Sequence, residues 1–234
     1  MVSYQAIEPD QAVNENLKAK RMPQPAPEPL RPIRRNEIRQ QNEQLILQAA
    51  EKVFAEAGFG GATMQLIADV AGLPKANLHY YFTTKEELYR KVVSNIFDIW
   101  LHAAESMDNA PGPVEGIGAY IDAKMEISRR HPDGSKVWAS EVMHGAPVIQ
   151  DYLETTLRDW TAGRVALIQG WIDAGQMAAV NPDHLLYMLW AATQHYADFG
   201  HQIETLNGGP LTDRQWAEAK DSVKAMILRG IGAA

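Results

Sequence analysis

The sequence predicts an all-α protein: an N-terminal three-helix helix-turn-helix head followed by a larger helical body. Three observations predict it. Apolar residues recur at three- and four-residue spacing through most of residues 37–229, the period of a helix with one buried face. No stretch of any length alternates apolar and polar residues as a half-buried strand would. Between them, Thr63 to Leu88 reads as two short helices joined by a tight turn and then the start of a third. The boundaries that follow are a tail over 1–36, a head over 37–84 and a body over 85–234.

Composition bounds the chemistry. The chain has 234 residues, 46% of them hydrophobic, enough for a sizeable core. It has no Cys, which removes disulfides, thiolate nucleophiles and Cys-ligated zinc together and suits a reducing cytoplasm. No signal peptide is visible, and no apolar run approaches the roughly 18 residues of a membrane span. The net charge of -7 is unevenly placed: residues 31–90 carry 8 Lys and Arg against 7 Asp and Glu, residues 91–234 carry 11 against 18. The acidity lies in the body, and the head is nearly neutral with local basic clusters. Local field matters more than the total for an anionic partner.

The tail is polar and proline-rich, with Pro23, Pro25, Pro27, Pro29 and Pro32, so it is expected to be extended or disordered. Arg31, Arg34, Arg35 and Arg39 close it. They suit a basic arm in a minor groove, or simply a solubilising tail. A first helix over 37–57 places Leu45, Ile46, Ala49, Val53 and Phe54 on one face and ends in the Gly58–Gly61 turn. Thr63 is a natural N-cap for the next helix, in which Leu66, Ile67 and Val70 form the apolar stripe. Ala71-Gly72 ends it, because Gly adopts the left-handed cap at little cost. Pro74 suits the first turn of the third helix. Leu78 and Phe82 would pin that helix inward, leaving Lys75, Asn77, His79, Tyr80 and Tyr81 opposite.

That opposite face carries chemistry. A short helix with one apolar edge and polar and aromatic side chains across from it fits the major groove, with its early residues at base edges. Asn77 can bond bidentately to adenine, and Lys75, Tyr80 and Lys85 suit phosphates. The plainer alternative is that the tyrosines are core and the rest a solvated surface. Thr84-x-x-Glu87 is a capping-box pattern opening a long helix over 85–106, along which Leu88, Val92, Ile96, Ile99 and Trp100 recur. This helix begins in the head and ends in the body, a natural lever. Further helices follow over 114–130, 135–144, Pro147–Gly175, 182–200 and 213–229.

Residues 45–88 resemble the DNA-binding domain of the TetR family of transcriptional regulators. The matching positions are Phe54, Gly58, Phe59, Thr63, Ile67, Ala68, Ala71, Gly72, Leu78, Tyr80, Phe82, Lys85, Glu86 and Leu88. Leu73, Pro74, His79 and Tyr81 depart from the family pattern. The resemblance implies DNA contacts from Thr63, Gln65, Lys75, Asn77, His79, Tyr80 and Lys85. It also implies a dimer, since two recognition helices about one turn apart read a pseudo-palindrome. Helix 182–200 is apolar nearly all round, and with 213–229 it suits a two-fold interface.

The body resembles one branch of that family, the regulators of pyrimidine utilisation. Ile99-Trp100-Leu101, Gly145-Ala146-Pro147, Gly170-Trp171-Ile172 and, most of all, Trp190 to Phe199 carry this likeness. It implies a repressor released from its operator by a small molecule such as uracil or thymine. A planar ring with alternating donors and acceptors needs amide-like partners and flat apolar walls. The body offers Trp138, Met143, Trp171, Tyr187, Gln194 and Asp198, with Trp190 and His195 nearby. Gln194 is the best single candidate, because an amide complements an imide edge. For the aromatics the alternative is core or dimer packing.

Two other readings stand beside this one. A helix-turn-helix regulator could answer to an unrelated small molecule or to a protein partner. A helical-bundle metalloenzyme is the remote alternative, from the Glu141-x-x-His144 spacing. Di-iron bundles need two such motifs and two more carboxylates, and His195, Asp198 and His201 spread too far around their helix to share a metal. No cofactor, metal or catalytic residue is expected.

Overall fold

The computed structural model describes residues 35–233. The proline-rich segment with Arg31 and Arg34 lies outside the described residues. Among the described residues every regular element is helical.

The head comprises α1 (Arg35–Gly61), α2 (Met64–Ala71) and α3 (Lys75–Tyr81). Ile46, Ala49, Ala50, Val53 and Phe54 form the buried stripe of α1, while Leu45, expected there, is largely exposed. Gly58, at φ 66°, kinks α1 before its last turn, a conformation glycine tolerates without a Cβ clash. The Thr63 hydroxyl accepts from Leu66 N at 3.1 Å and starts α2. Gly72, also at φ 66°, closes it. The buried edge of α2 is Ile67 and Ala68; Leu66 and Val70 face outward. So short a helix meets its neighbours along a narrow edge, which cannot cover the whole stripe read from periodicity. Pro74 sits just before α3 rather than in its first turn and makes no side-chain cap bond. Leu78 and Phe82 are buried as expected, and Tyr81, placed on the polar face by the sequence, packs half-buried against the head core.

The long helix α4 (Lys85–Ala104) begins where Thr84 Oγ1 accepts from Glu87 N at 3.1 Å. Glu87 accepts in return from Thr83 N, one residue earlier than the capping box predicts.

The body adds α5 (Pro113–Arg130), α6 (Pro132–Met143), α7 (Gln150–Tyr152), α8 (Arg158–Asp173), α9 (Pro182–Asp198), α10 (Gly200–Asn207) and α11 (Asp213–Gly230). The single helix expected over Pro147–Gly175 differs in two ways. Gly145 and Ala146 both take positive φ, so the chain turns before Gln150. Between α7 and α8 the residues Leu153–Leu157 form a π-helical turn, a wider winding that re-aims the side chains after it. Helix 182–200 stops at Asp198, and α10 follows where no helix was expected.

Two apolar cores result. The first joins α1, α2 and α3 to α4 and α6, and includes Ile46, Phe54, Ile67, Leu88, Phe97, Trp100 and Trp138. The second joins α5, α8, α9 and α11, and includes Ile117, Tyr120, Ile168, Trp171, Leu186 and Ile227. The head thus shares its core with part of the body.

Candidate DNA-reading face and effector cavity

On the head, Thr63, Gln65, Lys75, His79 and Tyr80 are exposed, and Asn77 is half-buried. Tyr80 is 70% exposed. It meets Tyr81 edge-on, with ring centroids 5.1 Å apart. Gln65 Nε2 donates to Asp69 Oδ1 at 2.8 Å, so its amide is already engaged along α2. Thr63 uses its hydroxyl as an acceptor for the cap and keeps its O–H proton to offer outward. α3 therefore presents an amide, an imidazole, a phenol and an ammonium on one surface, a mixed donor–acceptor set suited to base edges and phosphates.

Lys85 is placed otherwise than the sequence suggested. Its ammonium donates to Phe59 O at 2.7 Å and Ala62 O at 3.0 Å, and lies 4.3 Å from the centroid of the Phe59 ring. These two carbonyls belong to the end of α1 and the residue after it. The ammonium ties that end to the start of α4, and two of its three donors are directed at the protein rather than at a phosphate.

Inside the body lies a cavity of about 250 Å³ at the seam of the two cores. Phe97, Trp100 and Leu101 of α4 line one side, and Tyr120 and Lys124 of α5 another. Trp138 and Val142 of α6, Leu153 and Leu157 of the π-helical turn, Trp160 of α8, and Trp190 and Gln194 of α9 complete it. The π-helical turn supplies two of these walls, which an unbroken α-helix starting at Pro147 would aim elsewhere. Phe97 and Trp138 stack at 5.2 Å with 11° between their planes, and Trp100 meets Trp138 edge-on at 5.4 Å. The walls are flat and apolar, and the polar groups are few. Trp190 Nε1 donates to Tyr120 Oη at 3.1 Å. Trp160 Nε1 is buried without a hydrogen-bond partner.

Of the ligand candidates read from the sequence, Trp138 and Gln194 line this cavity, and Trp190 with them. The other four do not. Trp171 is 6% exposed and packs in the second core against Gly116. Tyr187 points outward from α9, and Met143 is 76% exposed. Asp198 accepts from Ser135 Oγ at 2.6 Å and borders, with Met143, an outer groove beyond the cavity wall. Helical periodicity told which residues were apolar but not which neighbour each one faces. The reading also missed Lys124, Tyr120, Phe97, Trp100 and Trp160. For Lys124 there was a signal: it sits at i+3, i+4 and i+7 from Ile121, Tyr120 and Ile117, a lysine on a core stripe.

Lys124 is 1% exposed, with its ammonium 3.9 Å from the centroid of the Trp100 ring. Burial pushes its pKa down to about 7, against the pull of the Asp198 charge. Asp198 is itself raised above the usual carboxylate range by burial, partly offset by its bond from Ser135.

Two carboxylates anchor α6, one to α1 of the head and the other to α4. Glu51 of α1 accepts from Gly134 N at 2.8 Å. Burial raises its pKa, and that amide opposes the rise. Glu141 is buried and accepts from Tyr89 Oη at 2.9 Å and Val148 N at 2.6 Å. Both of its oxygens are thus engaged, and His144 Nδ1 lies 2.6 Å from Ser140 O, so this pair is structural rather than an open metal half-site.

Comparison with known proteins agrees with this arrangement. Residues 46–92 match the family model described as bacterial regulatory proteins, tetR family. Residues 93–234 match the model for the YcdC-like protein C-terminal region. The chain is 40% identical over 187 residues to the HTH-type transcriptional regulator RutR of Escherichia coli K12, covering 80% of this chain and 88% of RutR. It is 24% identical over 193 residues to the transcriptional repressor NicS of Pseudomonas putida, covering 80% of this chain and 90% of NicS. Among solved structures it superposes on the ketosteroid regulator KstR2 of Mycobacterium tuberculosis with a TM-score of 0.66 at 22% identity, covering 81% of this chain and 94% of that one. With the TetR-family regulator PfmR of Thermus thermophilus the TM-score is 0.62 at 19% identity, covering 79% and 97%. These relatives are regulators, not enzymes, and among the described residues no helix is long and apolar enough to cross a membrane. The chain belongs to the TetR family of bacterial regulatory proteins and is a helix-turn-helix transcriptional regulator of the RutR-like branch.

Proposed function

We propose that the protein is a cytoplasmic, effector-released repressor that binds a pseudo-palindromic operator as a homodimer and lets go when a pyrimidine such as uracil or thymine enters the cavity. The reading rests above all on α4. Its first turn follows the recognition helix α3, and its Phe97, Trp100 and Leu101 wall the cavity. A ligand that moves those three side chains acts directly on the helix that carries the reading head. Stacking walls and the Gln194 amide suit a small planar imide, and a cavity of about 250 Å³ is large enough for a single ring. Where the operator binds one placement of α4 and the ligand favours the other, linkage requires that each weakens the binding of its counterpart.

For the DNA, Thr63, Lys75, Asn77, His79 and Tyr80 are the contacts we assign, with Gln65 secondary and Lys85 a tie within the head. For the dimer, Tyr187, Met188, Ala191 and His195 of α9, with Phe199 just after it, leave an exposed stripe, and Met226 is exposed on α11. A second copy would bury that stripe.

The test is operator release. A duplex selected by the protein from a random pool is bound, and uracil or thymine is titrated in while fluorescence anisotropy is followed. Release by pyrimidines, absent with a Gln194→Leu variant that still binds the duplex, is the expected result. A folded dimer that holds its operator in saturating uracil and thymine, with no rise in melting temperature, refutes the effector assignment.

A further inference from the structure

The polar groups of the cavity are unequal: they are mostly donors. Tyr120 Oη accepts from Trp190 and keeps its own proton to donate. Trp160 Nε1 is a buried N–H with no partner. The Lys124 ammonium lines the cavity over the Trp100 ring, and among the described residues no hydrogen bond from it is found. Gln194 alone brings an acceptor as well. A buried ammonium without an acceptor is costly, and so is a buried N–H left bare. What would satisfy these donors is oxygen.

We propose that Lys124 is the specificity-determining residue of the effector site: its ammonium donates to an exocyclic oxygen of a single planar ring, and rings lacking such an oxygen are rejected. This rests on the cavity being the effector site and deepens that assignment. The oxygen can belong to a cyclic imide or to a ring carboxylate, which present the same acceptor to Lys124.

The surroundings leave this role open. From α9, the charge bearing on Lys124 is that of Asp198, whose carboxylate is held by Ser135 and stands in the field of His195 and of Lys136 on α6. Lys136 is itself paired with Asp133. From α4 comes the uncharged Trp100 face. Lys224 of α11 is taken by Asp122, and Arg164 of α8 by Asp108. An ammonium poised near pH 7 is partly neutral when the cavity is empty. Binding of an acceptor oxygen favours the charged form, so the ligand should bring a proton in with it.

The experiment is calorimetric titration of the full chain and of Lys124→Met with uracil, benzoate and indole, at several pH values and in two buffers of different ionisation enthalpy. The expected result is that the oxygen-bearing rings bind wild type with net proton uptake near pH 7.5 and lose affinity as pH rises. Lys124→Met should weaken them by about tenfold to a hundredfold, the loss of one charge-assisted hydrogen bond, and should bind indole more tightly than wild type does, because the unpaired ammonium that rejects it is gone. The variant should melt no lower than wild type, because a buried charge has been removed; a merely structural lysine would not separate melting from affinity in this way. The proton uptake is read on wild type and does not depend on the variant folding. If benzoate binds through Lys124 and uracil does not, the inference stands and the pyrimidine assignment falls. If uracil binds both proteins equally and without proton uptake, the inference is overturned and the pyrimidine assignment survives. If neither oxygen-bearing ring binds, both fall.

Discussion

Replacing Lys85 by Met separates two roles for one cation. The Lys85 ammonium makes two hydrogen bonds to Phe59 O and Ala62 O and lies over the Phe59 ring. Hydrogen bonds to a charged group contribute about 1.5–3 kcal/mol each, and a partly exposed cation–π contact about 0.5–1 kcal/mol. The site is half-buried, so the freed carbonyls regain water and much of this is offset; the net loss should be about 2 kcal/mol. For a chain of this size that lowers the melting temperature by about 4–8 °C. The assay pairs urea unfolding with the salt dependence of binding to a labelled duplex. A phosphate contact contributes about 0.9 to the slope of log affinity against log salt, so about 1.8 per dimer. Lys85→Met should leave that slope nearly unchanged. Lys75→Met, at an exposed position on α3, should cut it by that amount with stability within about 0.5 kcal/mol of wild type. A Lys85→Met protein of unchanged stability with a slope reduced by about 1.8 would refute the reasoning and return the ammonium to the phosphate.

Two further outcomes test the packing around the cavity. In Gly116→Ala, the new Cβ would lie 2.8 Å from Cη2 of the buried Trp171 and 3.0 Å from Ala110 Cβ. Overpacking should outweigh the gain in helix propensity, for a net loss of about 1–2 kcal/mol by urea titration, and Trp171→Phe should recover part of it. Glu51→Gln keeps an oxygen for Gly134 N and removes a carboxyl whose pKa is raised by burial. Between the unfolded and the raised folded pKa the native state holds more protons, so wild-type stability falls as pH rises through that window. The variant should show a smaller fall, the part due to Asp198 remaining, when its urea midpoint is followed from about pH 4 to pH 7; an identical decline in both proteins would rule out Glu51 as a source.

What could be read from residues alone divides along physical lines. Local rules sufficed where a structure is determined by a few neighbours: the Thr63 cap, the Gly72 stop and the Leu78–Phe82 edge all stand where the sequence placed them. α10 was invisible because it buries no stripe; Leu206, its one large leucine, is exposed. The π-helical turn was invisible because one widened turn leaves the apolar count unchanged. Trp171 and Trp138 read alike on a helical wheel, and only the tertiary fold sends one into a closed core and the other to a cavity wall. Lys124 was passed over because a lysine is ordinarily solvated, although its place on the α5 stripe argued otherwise.

The cavity and the outer groove share four wall residues: Trp138, Val142, Trp190 and Gln194. This partition is one side chain thick. The inner space measures about 250 Å³ and the groove beyond it about 650 Å³. The upper size limit on an effector is therefore set by a septum, not by the depth of the body. Trimming Trp190, which packs on α5 and α8, would merge the two spaces and admit multi-ring molecules without touching the head or α4, whereas Trp138 also stacks on Phe97 and Trp100 of α4. A lineage, or a designer of biosensors, could widen the chemical vocabulary of this scaffold at one codon while leaving its DNA grammar untouched.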